Sequence, residues 1–245
     1  MSLLRMVWFH TRRFWAVPFF VQLLLISTTQ VVCLQALAHH AGSAAGTQGW
    51  IRAALVGMWM VSTVSAGIVG FQRFQGTLVH LVRSPRPTWQ STGPVVAAVA
   101  ALGLFCIPVA LLLAIALGMP VAGSIDGRAV GGLILFWLAT IVMASLIATL
   151  FVLSRYATTY EGLIGAPLVL LSDIFGHPAD WSWFDMASAW LPTAWATKMI
   201  FDPELSMAGF TLGYATSSVV WAVGVAILGR RALRRATRLG TLEVV

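Results

Sequence analysis

Five long stretches without a charged residue constrain this chain more than any other feature of its sequence. They cover residues 14–38, 53–71, 93–118, 129–154 and 205–229. Each has about the 20 residues that an α-helix needs to cross roughly 30 Å of hydrocarbon. Only 9% of all residues are charged, whereas soluble domains carry about 25%. The sequence therefore predicts an all-α, polytopic membrane protein.

The distribution of basic residues predicts how the chain is oriented. Arg5, Arg12 and Arg13 precede the first stretch, and five arginines follow the last one. Because Lys and Arg concentrate in cytoplasmic loops, both termini should be cytoplasmic. Two cytoplasmic ends require an even number of crossings, so we expect a sixth span at residues 156–175. This six-helix topology places twelve of the fifteen basic residues inside.

The segments between the spans complete a single transmembrane domain of residues 1–245. Residues 1–13 favour an interfacial helix, because apolar side chains recur on one face and arginines lie opposite. Residues 72–91 form the loop between the second and third spans, and residues 230–245 form a basic tail.

Residues 176–204, between the fifth and sixth spans, are too apolar for an ordinary loop and too interrupted for a span. The prolines Pro178 and Pro192 break this segment. We expect a broken hairpin of two short helices, Trp181 to Trp190 and Pro192 to Phe201, that dips into the outer leaflet. Such a hairpin could gate an exit, plug the bundle or simply anchor it through its aromatic residues.

Several kinds of chemistry are missing from the sequence. It has no phosphate-binding Gly-x-x-x-x-Gly-Lys loop, no His-Glu-x-x-His zinc helix and no Cys-x-x-Cys pair. The five clear spans contain no ionisable residue, although ion-coupled carriers usually place such residues in the bundle. Any energy for transport should therefore come from outside the chain. The net charge of +7 follows from membrane topology and suits contacts with anionic lipid, and it does not indicate nucleic-acid binding.

The loop after the second span carries the most specific motif. It reads Gln72-Arg73-Phe74-Gln75-Gly76-Thr77-Leu78-Val79, followed by Leu81-Val82 and Ser84-Pro85. It resembles the corresponding loop in permease subunits of type-2 ABC exporters, the drug, antibiotic and polysaccharide export family. That loop commonly reads Glu-Arg-x-x-Gly-Thr-Leu-Glu, then Leu-Leu, then Ser-Pro. The present chain departs from it at Gln72 and Val79.

The resemblance implies the membrane subunit of an exporter in a bacterial cytoplasmic membrane, without catalytic residues or cofactors of its own. ATP and Mg²⁺ would bind two copies of a separate ATP-binding subunit, and a second permease chain, identical or homologous, would complete the complex. The substrate would be amphipathic or hydrophobic: a drug, an antibiotic, a lipid or a glycan-lipid. The residues that would couple to the ATPase are Arg73, Phe74, Gln75, Gly76, Thr77 and Leu78. The residues that would line the substrate pathway are Met58, Trp59, Ser62, Ser65, Ser172 and Asp173.

Two alternatives stay open. One is an integral-membrane enzyme that uses Asp173, His177, Asp180 or Asp185 at the outer face, although these residues match no known catalytic spacing. The other is a passive channel or membrane scaffold.

Overall fold

A computed structural model describes residues 2–42, 48–74, 88–121, 123–153, 157–178 and 180–238. Helices make up 82% of it, and the described residues contain no strand, which confirms the predicted all-α fold class. In chain order the helices are α1 (Leu3–Trp15), α2 (Pro18–His40), α3 (Gly49–Phe74), α4 (Thr88–Gly103), α5 (Cys106–Ala116), α6 (Gly127–Leu153), α7 (Ala157–Leu171), α8 (Ser182–Ser188), α9 (Pro192–Phe201) and α10 (Met207–Arg238).

Four segments among the described residues are long and apolar enough to cross a membrane. They are Pro18–His40, Gly93–Ala116, Gly127–Thr149 and Met207–Ala232. They coincide with the first, third, fourth and sixth predicted spans and fit a multi-pass membrane protein. The second and fifth predicted spans, at 53–71 and 156–175, fall largely on α3 and α7, and their crossings stay predictions.

Helix α3 lies at the centre of the bundle. It packs against α2, α4, α5, α6 and α7. Its residues Ile51, Leu55 and Trp59 are almost completely buried, and Phe136 and Met143 of α6 are fully buried in the same core. Because α3 contacts five of the other helices directly, a displacement of α3 would disturb the packing of much of the bundle.

Helix α2 buries only one stripe of its surface. Phe20, Leu24, Thr28, Val32 and Ala36 recur every fourth residue and are buried. The remaining faces are also largely apolar but exposed, as expected for a helix that contacts lipid on one side and protein on the other.

The third predicted span, 93–118, is not one continuous helix. Helix α4 ends at Gly103 and α5 begins at Cys106, with two turn residues between them. Pro108 explains the break, because it has no N–H to donate to the carbonyl of Leu104 and its ring crowds that carbonyl. The backbone N–H of Ile107 donates to Leu104 O instead, at 3.2 Å, in a tighter turn.

Helix α1 is present close to its predicted position and lies against α4. The predicted apolar face comprises Leu3, Val7, His10 and Phe14. The last three are partly buried, whereas Leu3 is exposed, as are Arg5 and Arg12. The interfacial location of this helix stays a prediction.

The two short helices of the segment 176–204 are found as α8 and α9. Helix α9 begins at the predicted Pro192 and ends at Phe201, and α8 is shorter than expected. Most of α9 is buried and packs against α6 and α10. Helix α10 continues through the first half of the predicted tail to Arg238, because Ala, Leu and Arg are strong helix formers.

Candidate functional site: a charged network around His177

The proposed ATPase-coupling residues fall at the edge of the described structure. Arg73 and Phe74 form the C-terminal end of α3, but their side chains are not described. Residues 75–78 of the motif, Gln75-Gly76-Thr77-Leu78, lie outside the described residues. The motif thus begins at the end of the central helix of the bundle, and its docking role stays a prediction.

The proposed pathway residues of α3 lie inside the bundle. Met58 and Trp59 are 0% and 2% exposed and belong to the core. The hydroxyl of Ser62, also buried, donates a hydrogen bond to Thr140 Oγ1 of α6 at 3.1 Å. Ser65 is on α3, but its side chain is not described. In this conformation the described members of the set hold α3 against its neighbours.

Ser172, at the end of α7, forms a buried hydroxyl pair with Thr193 of α9. The two oxygens are 2.6 Å apart and both residues are 0% exposed. Thr193 Oγ1 also lies 3.6 Å from the sulfur of Met143 on α6. Two hydroxyls buried away from water stay hydrogen-bonded to each other, because burying an unpaired hydroxyl costs free energy. The pair therefore joins α7 to α9 beside α6.

Asp173 turns the chain sharply after α7. Its φ of 56° is in the left-handed region, which Asp adopts more readily than most side chains. Gly176 follows with a φ of 78°. These two residues fold the segment back, so that the ring of His177 returns to the carboxylate of Asp173.

His177 bridges two carboxylates on different segments. Its Nδ1 lies 2.9 Å from Asp173 Oδ1, and its Nε2 lies 3.4 Å from Asp185 Oδ2 of α8. The ring also stacks on Phe184, with 4.4 Å between centroids. The hydrogen bond with Asp173, assisted by the charges of both carboxylates and opposed by desolvation, raises the pKa of His177. The geometry thus favours an imidazolium that donates a hydrogen bond to Asp173 and forms an ion pair with Asp185.

Lys198 of α9 extends this network. Its Nζ donates to Asp185 Oδ1 at 3.2 Å. Desolvation acts to raise the pKa of Asp185, but the hydrogen bonds and charges of Lys198 and His177 outweigh it, so that this pKa is lowered. Asp185 stays ionised and binds two cations on different segments.

Arg52, at the start of α3, lies beside this network of Asp173, His177, Asp185 and Lys198. Its guanidinium donates to the backbone carbonyl of Ile174 and lies 4.2 Å from the centre of the Phe201 ring of α9. The charge of Asp173 acts on it as well. Arg52 thereby joins α3 to the turn after α7 and to α9.

The structure brings together three of the four acidic and histidine residues singled out for an outer-face enzyme. Asp173, His177 and Asp185 form the network, whereas Asp180 is exposed and is not part of it. Their cationic partners are distant in the sequence: Arg52 lies 121 residues before Asp173, and Lys198 lies 13 residues after Asp185. Neither separation matches a sequence motif. Only the tertiary fold places these cations here.

The network does not have the arrangement of a general base or of a metal site. Both ring nitrogens of His177 point at carboxylates, which leaves neither as a free acceptor for a substrate proton. The carboxylates lie at opposite nitrogens and do not converge on one point, and the described residues contain no group of His, Cys, Asp and Glu suited to a metal ion. The arrangement is suited to holding segments together and to responding to protonation.

Comparisons with protein-family models, with curated proteins and with solved structures give no significant match for this chain.

Proposed function

We propose that the chain is the membrane-spanning subunit of an ATP-driven exporter, of the class formed by type-2 ABC permeases. One observation carries the proposal: the segment Arg73-Phe74-Gln75-Gly76-Thr77-Leu78, which resembles the coupling loop of that class, begins with the last two residues of α3. Helix α3, like α4 and α6, packs against five other helices. A partner that pushed on this loop would therefore act on a helix that contacts much of the bundle.

The sequence of the loop supplies two apolar residues for docking, Phe74 and Leu78. If the helix continues through the motif, Phe74 and Leu78 share one face, since residues four apart lie one above the other. Such a pair fits a hydrophobic groove on a partner protein. The partner would be the ATP-binding subunit, which holds ATP and Mg²⁺, in two copies beside a second permease chain.

The substrate route would follow α3 and α7. Met58, Trp59 and Ser62 are buried between α3 and its neighbours, so they would line the route only when these helices separate. Ser172 and Asp173 would lie at the outer end of the route, and an amphipathic or hydrophobic cargo would suit the apolar walls.

The coupling hypothesis is tested by purifying the chain with the ATP-binding subunit encoded beside it. Wild type is expected to co-elute with this subunit and to alter its ATP turnover. The double variant Phe74→Ala/Leu78→Ala is expected to lose both properties. The matched control Phe19→Ala/Leu212→Ala removes the same two side-chain types from positions that are 56% and 72% exposed on other helices, and it should behave as wild type.

The results distinguish a wrong exporter proposal from a wrong docking surface. If wild type binds no ATP-binding subunit, the exporter proposal is wrong, and a passive channel or scaffold becomes the better description. If the Phe74/Leu78 variant assembles and turns over ATP normally, the exporter proposal stands but the docking surface lies elsewhere. An enzyme at the His177 network gains little support, because the imidazole is engaged on both sides.

A further inference from the structure

We propose that the bridge from Asp173 through His177 to Asp185 is a proton-operated latch, which holds α8 against the turn after α7 while His177 is protonated and releases it when His177 is neutral. The latch is independent of the ATP-binding subunit and of the exporter assignment. It concerns the segment that the predicted six-span topology places on the outer side, where the pH follows the surroundings of the cell.

The geometry makes the bridge depend on a proton. Nδ1 faces Asp173 and Nε2 faces Asp185, at 2.9 and 3.4 Å. An imidazolium can donate to both carboxylates, whereas a neutral imidazole has one N–H and one lone pair. A lone pair that faces a carboxylate is repelled. Loss of the proton must therefore break one of the two contacts, and the longer one, to Asp185, is the weaker.

Apart from the contacts of Asp185 with His177 and Lys198, helix α8 has little to hold its N-terminal part. It has seven residues, too few to be stable alone, and Phe184 and Ser188 are its buried residues. Trp183 and Met186 are 57% and 70% exposed. Phe184 stacks on the ring of His177 itself, so this apolar contact also depends on where the imidazole lies.

The C-terminal end of α8 is fixed by bonds that do not titrate. Trp195 Nε1 of α9 donates to the carbonyl of Ala189 at 2.9 Å. Trp221 Nε1 of α10 donates to the carbonyl of Trp190, also at 2.9 Å. These two indole bonds define a hinge at residues 189–190, about which the N-terminal part of α8 can move when the bridge opens.

The surrounding charges determine the direction of the response. Asp173 and Asp185 face the ring, Lys198 binds Asp185 from α9, and Arg52 of α3 lies near Asp173. The raised pKa of His177 means that the latch is closed at acidic pH and opens as pH rises through that pKa. The contact of Lys198 with Asp185 persists when the bridge opens. Because Asp185 is 52% exposed, both of its ion pairs are weak, and loss of the pair with His177 weakens the hold on α8 without abolishing it.

Hydrogen exchange of the full chain in lipid nanodiscs tests the latch, measured by mass spectrometry over about pH 5.5 to 9, the range that brackets a perturbed histidine. After correction for the intrinsic exchange rate, the amides of residues 182–188 should lose protection as pH rises. The expected loss is about two- to fivefold, as for one partly exposed ion pair. The amides of α9 should keep their protection throughout.

Two variants sharpen the test. His177→Gln should show the low protection of α8 at every pH, while His39→Gln, which changes a histidine at the end of α2, should retain the wild-type profile. Constant protection of residues 182–188 across the pH range in wild type would overturn the latch, and this measurement does not depend on the folding of any variant. An unchanged pH midpoint in His177→Gln would also overturn it.

Discussion

The guanidinium of Arg52 lies 4.2 Å from the centre of the Phe201 ring and donates a hydrogen bond to the carbonyl of Ile174. One side chain at the start of α3 thus contacts the end of α9 and the turn after α7. These contacts connect the central helix to the charged network around His177, although the residues involved are far apart in the sequence.

Replacement of Arg52 by Met should destabilise the protein by about 2 kcal/mol, because a partly desolvated cation–π contact and a charge-assisted hydrogen bond are both lost. Met retains an unbranched apolar stem, so the packing loss is small. The apparent melting temperature in detergent, followed by tryptophan fluorescence, should fall by several degrees. The matched change Arg5→Met, at an exposed position of α1, should leave it unchanged.

Substitution of Gly57 by Ala should be destabilising by about 1–3 kcal/mol, the usual cost of overpacking. A Cβ at this position would overlap Thr28 Oγ1 of α2 and lie 2.9 Å from Cys106 Sγ of α5. Three helices meet here, and none can retreat without disturbing the core. Thermal unfolding of the purified variant measures the effect.

Gly165→Ala is the control for that substitution. A Cβ on Gly165 would meet nothing within 4 Å, and the change should be neutral or stabilise α7 by about 0.5–1 kcal/mol, since Ala favours a helix interior more than Gly. Equal losses in the two variants would show that the close contact of α2, α3 and α5 does not set the requirement for glycine.

The buried hydroxyl pair of Ser172 and Thr193 predicts a non-additive double-mutant cycle. Ser172→Ala leaves the buried hydroxyl of Thr193 without this partner and should cost about 1–2 kcal/mol. Thr193→Val should cost less, because the hydroxyl of Ser172 still donates to Leu168 O at 2.8 Å. The double variant should cost less than the sum of the single variants, because both hydroxyls are removed together. Additive losses, measured by thermal unfolding of all four proteins, would mean that the 2.6 Å contact contributes no coupling.

Much of the fold could be predicted from the sequence. Apolar length located the helices, and Pro192 marked the start of α9, because proline fits the first turn of a helix. The break between α4 and α5 was missed, although Pro108 signals it, since the surrounding run is uniformly apolar and hydropathy alone does not register a break in the backbone.

The candidate site was less predictable. Asp173, His177 and Asp185 stand close together in the sequence and could be singled out as a group. Their cationic partners could not, because the packing of α3 on α7 brings in Arg52 and the packing of α9 on α6 brings in Lys198. A helix such as α2, whose apolar residues lie on every face, also conceals which face is buried, so helix contacts had to come from the structure.

Removal of either carboxylate should lower the pH at which α8 loses its protection, and removal of Asp173 should have the larger effect. The hydrogen bond with Asp173 is the largest contribution to the raised pKa of His177. Asp173→Asn should therefore lower the pKa of His177 more than Asp185→Asn does, and asparagine tolerates the left-handed backbone at position 173. Because a raised folded-state pKa contributes stability at low pH that is lost as pH rises, both variants should lose it at lower pH than wild type. The imidazole ¹⁵N chemical shifts of His177, followed during a pH titration, measure the order directly. If Asp185→Asn has the larger effect, the bridge to α8 and not the local turn controls the protonation of His177.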